Sequence, residues 1–421
     1  MYVTVHRGTQ QIGGNLVEIG TAHTRLLFDA GVDLPPLDGP KTEDPFELEG
    51  LTFGEPAFDW VFLSQHHNDH CGLLGKLLPS IPVFAGEETR RILDVIADFT
   101  NQPWPEIHFG FRDGQPVQLD DVRVTPIGVE HSAKDAYMFL IQAEGRNVLY
   151  TGDFRASEKA LAAVRERLGE GEQLDLLITE GTNIRPGKQE QTGKFQGEAW
   201  IEHRLTGRLR VHQGQGTVFV LCSSANEDRI QAFTRVAERF CRTVCEDLFQ
   251  SAVRGHMDEN VQRFVANPVE KGNRAWPYFE TLYQQKALVG AETLARLPGQ
   301  KLVFVRTSML SFMEKYMAVR LPEDEEHPIL FYSMWKGHKQ TAAVKKVLEF
   351  CRERKITVVD LHTSGHASRD TVKALIDGLR PAALLPIHCE AEDRDEFLSL
   401  HGSCLMLNDG QRWEVGSCLN C

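Results

Sequence analysis

The segment LSQHHNDHCG, residues 63 to 72, carries the densest chemistry in the chain, with His67, Asp69 and His70 within four residues directly after the apolar run WVFLS. Imidazole and carboxylate are donors that suit zinc or manganese, and an irregular segment lets closely spaced side chains converge on neighbouring ions. Taken alone, such a loop is as often a polar turn as a metal site. Further ligand-type residues stand at the ends of other apolar runs: His131 in GVEHS, Asp153 in YTGDFR and His388 in LPIHCE. Separate run ends that each carry histidine or aspartate beside glycine or small residues point jointly to a dinuclear centre.

The elements that must position these residues follow from the patterning. Up to about residue 180, β-rich runs alternate with turn residues: NLVEIG, TRLLFDAG, DWVFLS, VRVTPIG, YMFLIQ, NVLYTGD and LDLLITEG. They read as strands, several ending on polar residues that can line a site. The Gly- and Gln-rich RPGKQEQTGKFQG reads as a loop. An α/β pattern follows: the strand TVFVLCS, a helix over Glu227–Phe240 with Ile230, Phe233, Val236, Ala237 and Phe240 on one face, and later the strands KLVFVRT and HPILFYS. This middle region reads as an α/β domain of its own. ITVVDLH and AALLPIH are strands again, each ending in histidine, and a last strand pair is expected to turn at Asn408, Asp409 and Gly410.

With 421 residues, 42% hydrophobic and 25% charged, the composition is that of a globular chain of two or three domains. No apolar run approaches the roughly 18 to 20 residues of a membrane span, and MYVTVHRGTQ has no basic-then-apolar layout; the expectation is a cytoplasmic protein with no membrane partner. Nine scattered cysteines are expected to stay reduced. Cys418 and Cys421 form a CxxC with no second pair at ribbon spacing, so structural zinc there is only a guess. The net charge of −13 excludes a chain-wide electrostatic grip on phosphate backbones, so any nucleic-acid contact must be local. One candidate is Lys336–Lys355, where seven basic residues face two acidic ones. Ala343, Val344, Val347, Leu348 and Cys351 follow helical spacing, which puts the basic residues outward, as a solvated face or a phosphate track.

The ordered series FDAG, an HxHxDH-like loop, a lone histidine, TGDFR and a late histidine resembles the metallo-β-lactamase fold, an αββα sandwich with two metals at the edge of its sheets. Glu180 in LLITEG, His366 in HTSGHAS and His388 in PIHCE resemble the β-CASP subfamily, and SGHAS, CSSANEDRIQ and FDAG are similar to ribonuclease J. The likeness spans nearly the whole chain and implies a metallo-β-lactamase domain at 1–190, a β-CASP domain at 191–355 and a return segment at 356–421. A counterpart of the extra C-terminal domain of ribonuclease J is not expected among these residues.

The resemblance implies that His67 and His131 hold a first metal, that Asp69, His70 and His388 hold a second, that Asp153 bridges them, and that Asp29 backs the metal loop. It pairs Glu180 with His366 as general acid, makes Asp69 part of the catalytic set, and assigns Ser364, Gly365 and Ser368 to a substrate phosphate. Zinc is the expected cofactor, one or two ions per chain, with manganese the alternative. There are two departures. Gln65 stands where the family has histidine, which weakens the first metal set, since an amide oxygen is a poorer ligand than imidazole. CEDLFQ, Cys245 to Gln250, replaces a glycine-arginine-serine-methionine turn for a terminal phosphate, which weakens the case for a strict exonuclease.

The implied activity is hydrolysis of single-stranded RNA, exo- or endonucleolytic, by attack of a metal-activated hydroxide with His366 protonating the leaving oxygen. Phe331, Tyr332 and Trp335 are either base-stacking platforms or core, core being the commoner fate. A DNA nuclease of the same superfamily would use the same residues. A small-molecule hydrolase would need no inserted domain. A catalytically weak β-CASP scaffold is favoured only by Gln65. Assembly, as monomer or homodimer, is left open.

Overall fold

The structure, a computed structural model, describes residues 1–421 apart from 35–43, 102–105, 157, 170, 186–196, 212–215, 256–260, 268, 320–327 and 418–421. The CxxC pair and nearly all of the expected loop RPGKQEQTGKFQG lie outside the described residues.

Side-chain alternation along the strands decides the architecture. In Ala136–Ala143, Tyr137, Phe139 and Ile141 face one core while Met138 and Leu140 face another, the period-2 pattern of a sheet covered on both sides. Leu26 and Phe28 share the first core and Leu27 turns to the opposite layer. Two sheets therefore pack face to face. One has seven strands, in the order Arg412–Glu414, Tyr2–Arg7, Leu16–Gly20, Arg25–Phe28, Trp60–Phe62, Val83–Gly86 and Phe109–Phe111. The other has six: Ala383–Ile387, Leu176–Glu180, Arg146–Tyr150, Ala136–Ala143, Val122–Val129 and Val117–Leu119. Aromatic rings fill the space between them, Phe62 stacking on Phe84 at 4.8 Å and Phe28 meeting Phe139 at 5.3 Å.

Helices Glu158–Leu168 and Arg369–Leu379 cover the outer face of the six-stranded sheet through Ala160, Val164, Leu375 and Ile376. Leu73, Leu74 and Leu93, the last on the helix Glu87–Thr100, pack on the outer face of the other. This is the expected αββα sandwich.

A third sheet of seven parallel strands runs Leu288–Val289, Val261–Phe264, Thr243–Asp247, Lys301–Val305, Val218–Leu221, Ile329–Tyr332 and Thr357–Asp360. The helix Glu227–Arg239 presents Ile230, Phe233, Val236 and Ala237 to one face, with Phe240 half-buried as its C-cap. The helix Ala342–Glu353 covers the other face. The chain leaves the sheet after Leu176–Glu180 and rejoins it, past the covering helix Arg369–Leu379, at Ala383–Ile387, which pairs parallel with that same strand from Leu176↔Ala383 to Glu180↔Ile387. An α/β unit is thus inserted between two neighbouring strands of one sheet, which sets its near edge beside their ends.

Two local expectations change and one open alternative is decided. In Ala342–Glu353 the buried positions are Val344, Val347, Phe350 and Cys351, while Ala343 is exposed and Leu348 half-buried; Phe350 lies one turn beyond Val347 on the apolar side. Lys345, Lys346 and Arg352 do point outward. Phe331 and Tyr332 are core, leaving Trp335 exposed. A turn does form at Asn408–Gln411, with Gly410 at φ 79°. The strand it feeds, Arg412–Glu414, pairs with Tyr2–Arg7 at the far end of the sequence instead of folding back as a hairpin. Among the described residues no helix is long and apolar enough to cross a membrane.

Candidate metal centre

The ligand-type residues sit where strands stop. Asp29 follows Arg25–Phe28, the loop 64–71 follows Trp60–Phe62, Asp153 follows Arg146–Tyr150, Glu180 ends Leu176–Glu180 and His388 follows Ala383–Ile387. His131 lies just past Val122–Val129. Parallel pairing puts these ends on one edge of the sandwich. Asp29 and His388 both have positive φ, 63° and 51°, a strained conformation for a residue with a Cβ that persists only where the surroundings hold it.

Asp29 is the hub that orients the loop. Its Oδ1 accepts Ser64 N–H at 2.7 Å, and its Oδ2 accepts Ser64 Oγ at 2.8 Å, Tyr150 Oη at 2.5 Å and His70 Nδ1 at 2.7 Å. Nδ1 of His70 is thereby protonated, and Nε2, on the cavity side, donates to Asp153 Oδ2 at 2.9 Å while the ring is charged. Gly31 is needed for the same loop: a Cβ there would come within 1.8 Å of Asp69 O. His131 donates from Nδ1 to Gly365 O at 2.7 Å, which fixes its tautomer too, because a carbonyl only accepts. His388 lies 2.8 Å from Thr182 Oγ1 through Nδ1 and 3.3 Å from Asp69 Oδ2 through Nε2. The His67 ring meets that of His131 edge-on at 5.2 Å.

Beside this cluster, His366 Nδ1 donates to Glu180 Oε2 at 2.9 Å. The other oxygen of Glu180 accepts Phe154 N–H at 3.1 Å and Ala367 N–H at 3.2 Å, so the carboxylate cannot swing away. Burial disfavours charge on the His366 ring, but Glu180 and Asp153 outweigh it and raise its pKa to about 9. His70 is raised well above the usual histidine range, burial again being overcome by Asp153, Asp29 and Asp69. His131 and His67 go the other way, since burial dominates there and favours neutral imidazole. Burial would keep Asp153 protonated, but His388, His70 and His366 hold it ionised. Neutral imidazoles and ionised carboxylates are the forms that bind cations, so Asp153, His67 and His131 are in the binding form and His70 would give up its Nε2 proton to a metal.

Asp69, His70, Asp153 and His388 each offer one ligand atom, and all four atoms lie within 4.8 Å of one another. Asp153 Oδ1 is buried without a hydrogen-bond partner, an atom that a cation would satisfy. The residues therefore fit a divalent metal. A second overlapping group, Asp153, Glu180, His366 and His388, meets the same distance criterion, but Glu180 is committed to His366 and two backbone N–H groups. His67 and His131 lie next to Asp153, with His131 Nε2 at 3.9 Å from its Oδ2, yet belong to neither group. Gln65 is fully buried with its amide turned to Asp153. His66 is buried and in neither group.

The three residues assigned to a phosphate have local partners: Ser364 Oγ accepts from Asn183 Nδ2 and His366 N–H, Gly365 O takes the His131 proton, and Ser368 caps the helix Arg369–Leu379. In the segment 245–250, the carboxylates of Glu246 and Asp247 are buried and paired with Arg254 and Arg306, and Asp247 caps the helix Leu248–Arg254. Sequence reasoning missed Thr182, Asn183, Ser64 and Tyr150, whose residue types carry no chemical signature. The one available clue was position, since Ser64 precedes the metal-type loop and Thr182 and Asn183 follow Glu180 directly.

Residues 24–213 match the family model described as the beta-lactamase superfamily domain, and 352–400 match that of the Zn-dependent metallo-hydrolase RNA specificity domain. Ribonuclease J of Helicobacter pylori is 22% identical over 98% of this chain and 60% of its own length. Ribonuclease J of Mycobacterium tuberculosis is 25% identical, over 92% of this chain and 68% of its own. The chain thus spans about 60% of the length of the first of these relatives. A crystal structure of a protein of unknown function from Enterococcus faecalis superposes with a TM-score of 0.75 at 20% identity, covering 98% of this chain and 99% of that one. With sandwich, inserted α/β unit and RNA specificity segment all in place, the chain belongs to the metallo-β-lactamase superfamily, as a ribonuclease J-like member of its β-CASP branch.

Proposed function

We propose that the protein is a metal-dependent phosphodiesterase that cleaves single-stranded RNA. The observation that carries this is the adjacency of the His366–Glu180 pair to Asp153 and the metal-type cluster, with Nδ1 of His366 tied at 2.9 Å. When bound, a divalent ion, zinc foremost and manganese as alternative, activates water and neutralises phosphoryl oxygens. Asp69, His70, Asp153 and His388 would hold it, with His67 and His131 next to Asp153. Asp29, through His70 Nδ1, keeps one ligand in the required tautomer, and Thr182, 2.8 Å from His388 Nδ1, holds the ring of another. His366, charged near neutral pH by Glu180 and Asp153, presents its Nε2 proton to the leaving sugar oxygen.

Within the inserted unit, exposed Trp335 is the base-stacking candidate. The pairing of buried Glu246 with Arg254 and of buried Asp247 with Arg306 favours endonucleolytic cleavage, because these guanidinium groups are already matched by carboxylates. Labelled single-stranded RNA and DNA of one sequence, incubated with metal-loaded protein, separate the outcomes. Cleavage of RNA at internal positions is expected. Faster cleavage of DNA would move the assignment to a DNA nuclease, and no cleavage of either by metal-loaded protein would refute it.

A further inference from the structure

Asp153 has two sets of neighbours, and the two differ. Asp69, His70 and His388 complete a four-residue set with it. The remaining neighbours are His67, His131 and Gln65, of which Gln65 and His131 face the same Oδ2 that His70 reaches. Gln65 Nε2 donates to Asp153 Oδ2 at 2.8 Å. That orientation is dictated by chemistry: a carboxylate oxygen only accepts, so the amide must present its NH₂ group. Its own oxygen is left buried without a hydrogen-bond partner. A fully buried amide thus places its positive end on the Asp153 oxygen that His131 Nε2 faces at 3.9 Å.

The remaining groups do not close a set. His131 Nε2 stands 3.9 Å from Asp153 Oδ2 and 3.3 Å from Ser132 Oγ, which has a proton to give it. Neither His131 nor His67 belongs to any group of three or more ligand side chains among the described residues.

We infer that the centre takes one divalent ion per chain, at Asp69, His70, Asp153 and His388, and that Gln65 makes it mononuclear by hydrogen-bonding the carboxylate that would bridge to a second. Restoring a second ion takes removal of that hydrogen bond together with a third donor beside His67 and His131; a histidine at position 65 provides both. The inference rests on the metal-site reading above.

The test is metal counting. Purified protein is stripped with chelator, reloaded with excess manganese, desalted and analysed for metal per chain, and the bound manganese is examined by electron paramagnetic resonance. Wild type should hold one ion with the six-line signal of an isolated centre, and cleavage of RNA should saturate at one equivalent. Gln65→His should hold two, with an exchange-coupled signal. Two ions in wild type, or one in a folded Gln65→His, overturns the inference while leaving the metal site standing. If Gln65→His does not fold, the wild-type count alone decides. No retained ion in any of these proteins refutes the metal-site reading itself.

Discussion

Thr182 and Asp29 do at the residue scale what a list of ligand types cannot show: each holds the back of a histidine whose front faces the cluster. Groups of this kind typically change metal affinity by about 10- to 100-fold when removed. Thr182→Val, which keeps the shape and loses the hydroxyl 2.8 Å from His388 Nδ1, should weaken metal binding by about that factor in calorimetric titration; an unchanged affinity would mean that the hydroxyl does not orient His388. His366→Ala should retain its metal and lose about 10²- to 10⁴-fold in turnover. Loss of metal in that variant would make His366 a ligand instead of an acid. The ligand-type residues were readable from the sequence because histidine and aspartate beside glycine at strand ends are chemically conspicuous. Thr182, Tyr150 and Ser64 were not, since their task exists only once separate strands bring them to Asp29 and His388.

At the scale of elements, the strands are held in register by buried polar clusters as well as by apolar alternation. Glu18 on Leu16–Gly20 accepts Tyr2 Oη at 2.6 Å, His6 Nε2 at 2.8 Å and Arg25 Nε at 2.8 Å, tying three adjacent strands. Burial alone would raise its pKa, but His6, Arg25 and Tyr2 outweigh burial and lower it from 4.5 to about 2. A depressed folded-state pKa stabilises the fold above the unfolded value, and that contribution fades as pH falls from 4.5 towards 2. Urea midpoints of wild type should therefore fall between pH 6 and pH 3 by more than those of Glu18→Gln; equal pH dependence would show that Glu18 is not the responsible group. Gly31→Ala should cost about 1–3 kcal/mol through the clash with Asp69 O. The long alternating strands were legible. Three-residue strands such as Phe109–Phe111 and Val117–Leu119 are too short to show a period, and the pairing of Arg412–Glu414 with Tyr2–Arg7 is a contact between sequence ends that no local pattern announces.

At the scale of the whole molecule, the inserted unit is tied to the catalytic segment through Arg229. This fully buried guanidinium pairs with Glu198 at 2.6 Å and donates to Ser333 Oγ at 2.7 Å and Thr363 O at 3.2 Å, three residues before His366. Arg229→Met should lower the thermal midpoint, with a loss on the order of 3–5 kcal/mol, because Glu198 is left without its closest partner; an unchanged midpoint would remove Arg229 as the tie. The insertion itself was legible from the switch to an α/β pattern, but this tie was not, since Glu198, Arg229, Ser333 and Thr363 are remote in sequence and ordinary in type.

The most direct measurement of the central claim is cleavage of labelled single-stranded RNA by chelator-stripped protein before and after return of zinc or manganese, with His366→Ala alongside. The expected result is no cleavage without metal, recovery of internal cleavage on adding it, and a metal-loaded His366→Ala that is at least about 10²-fold slower. Metal-loaded wild type that leaves RNA intact, or cleavage that persists undiminished in the stripped protein, would contradict it.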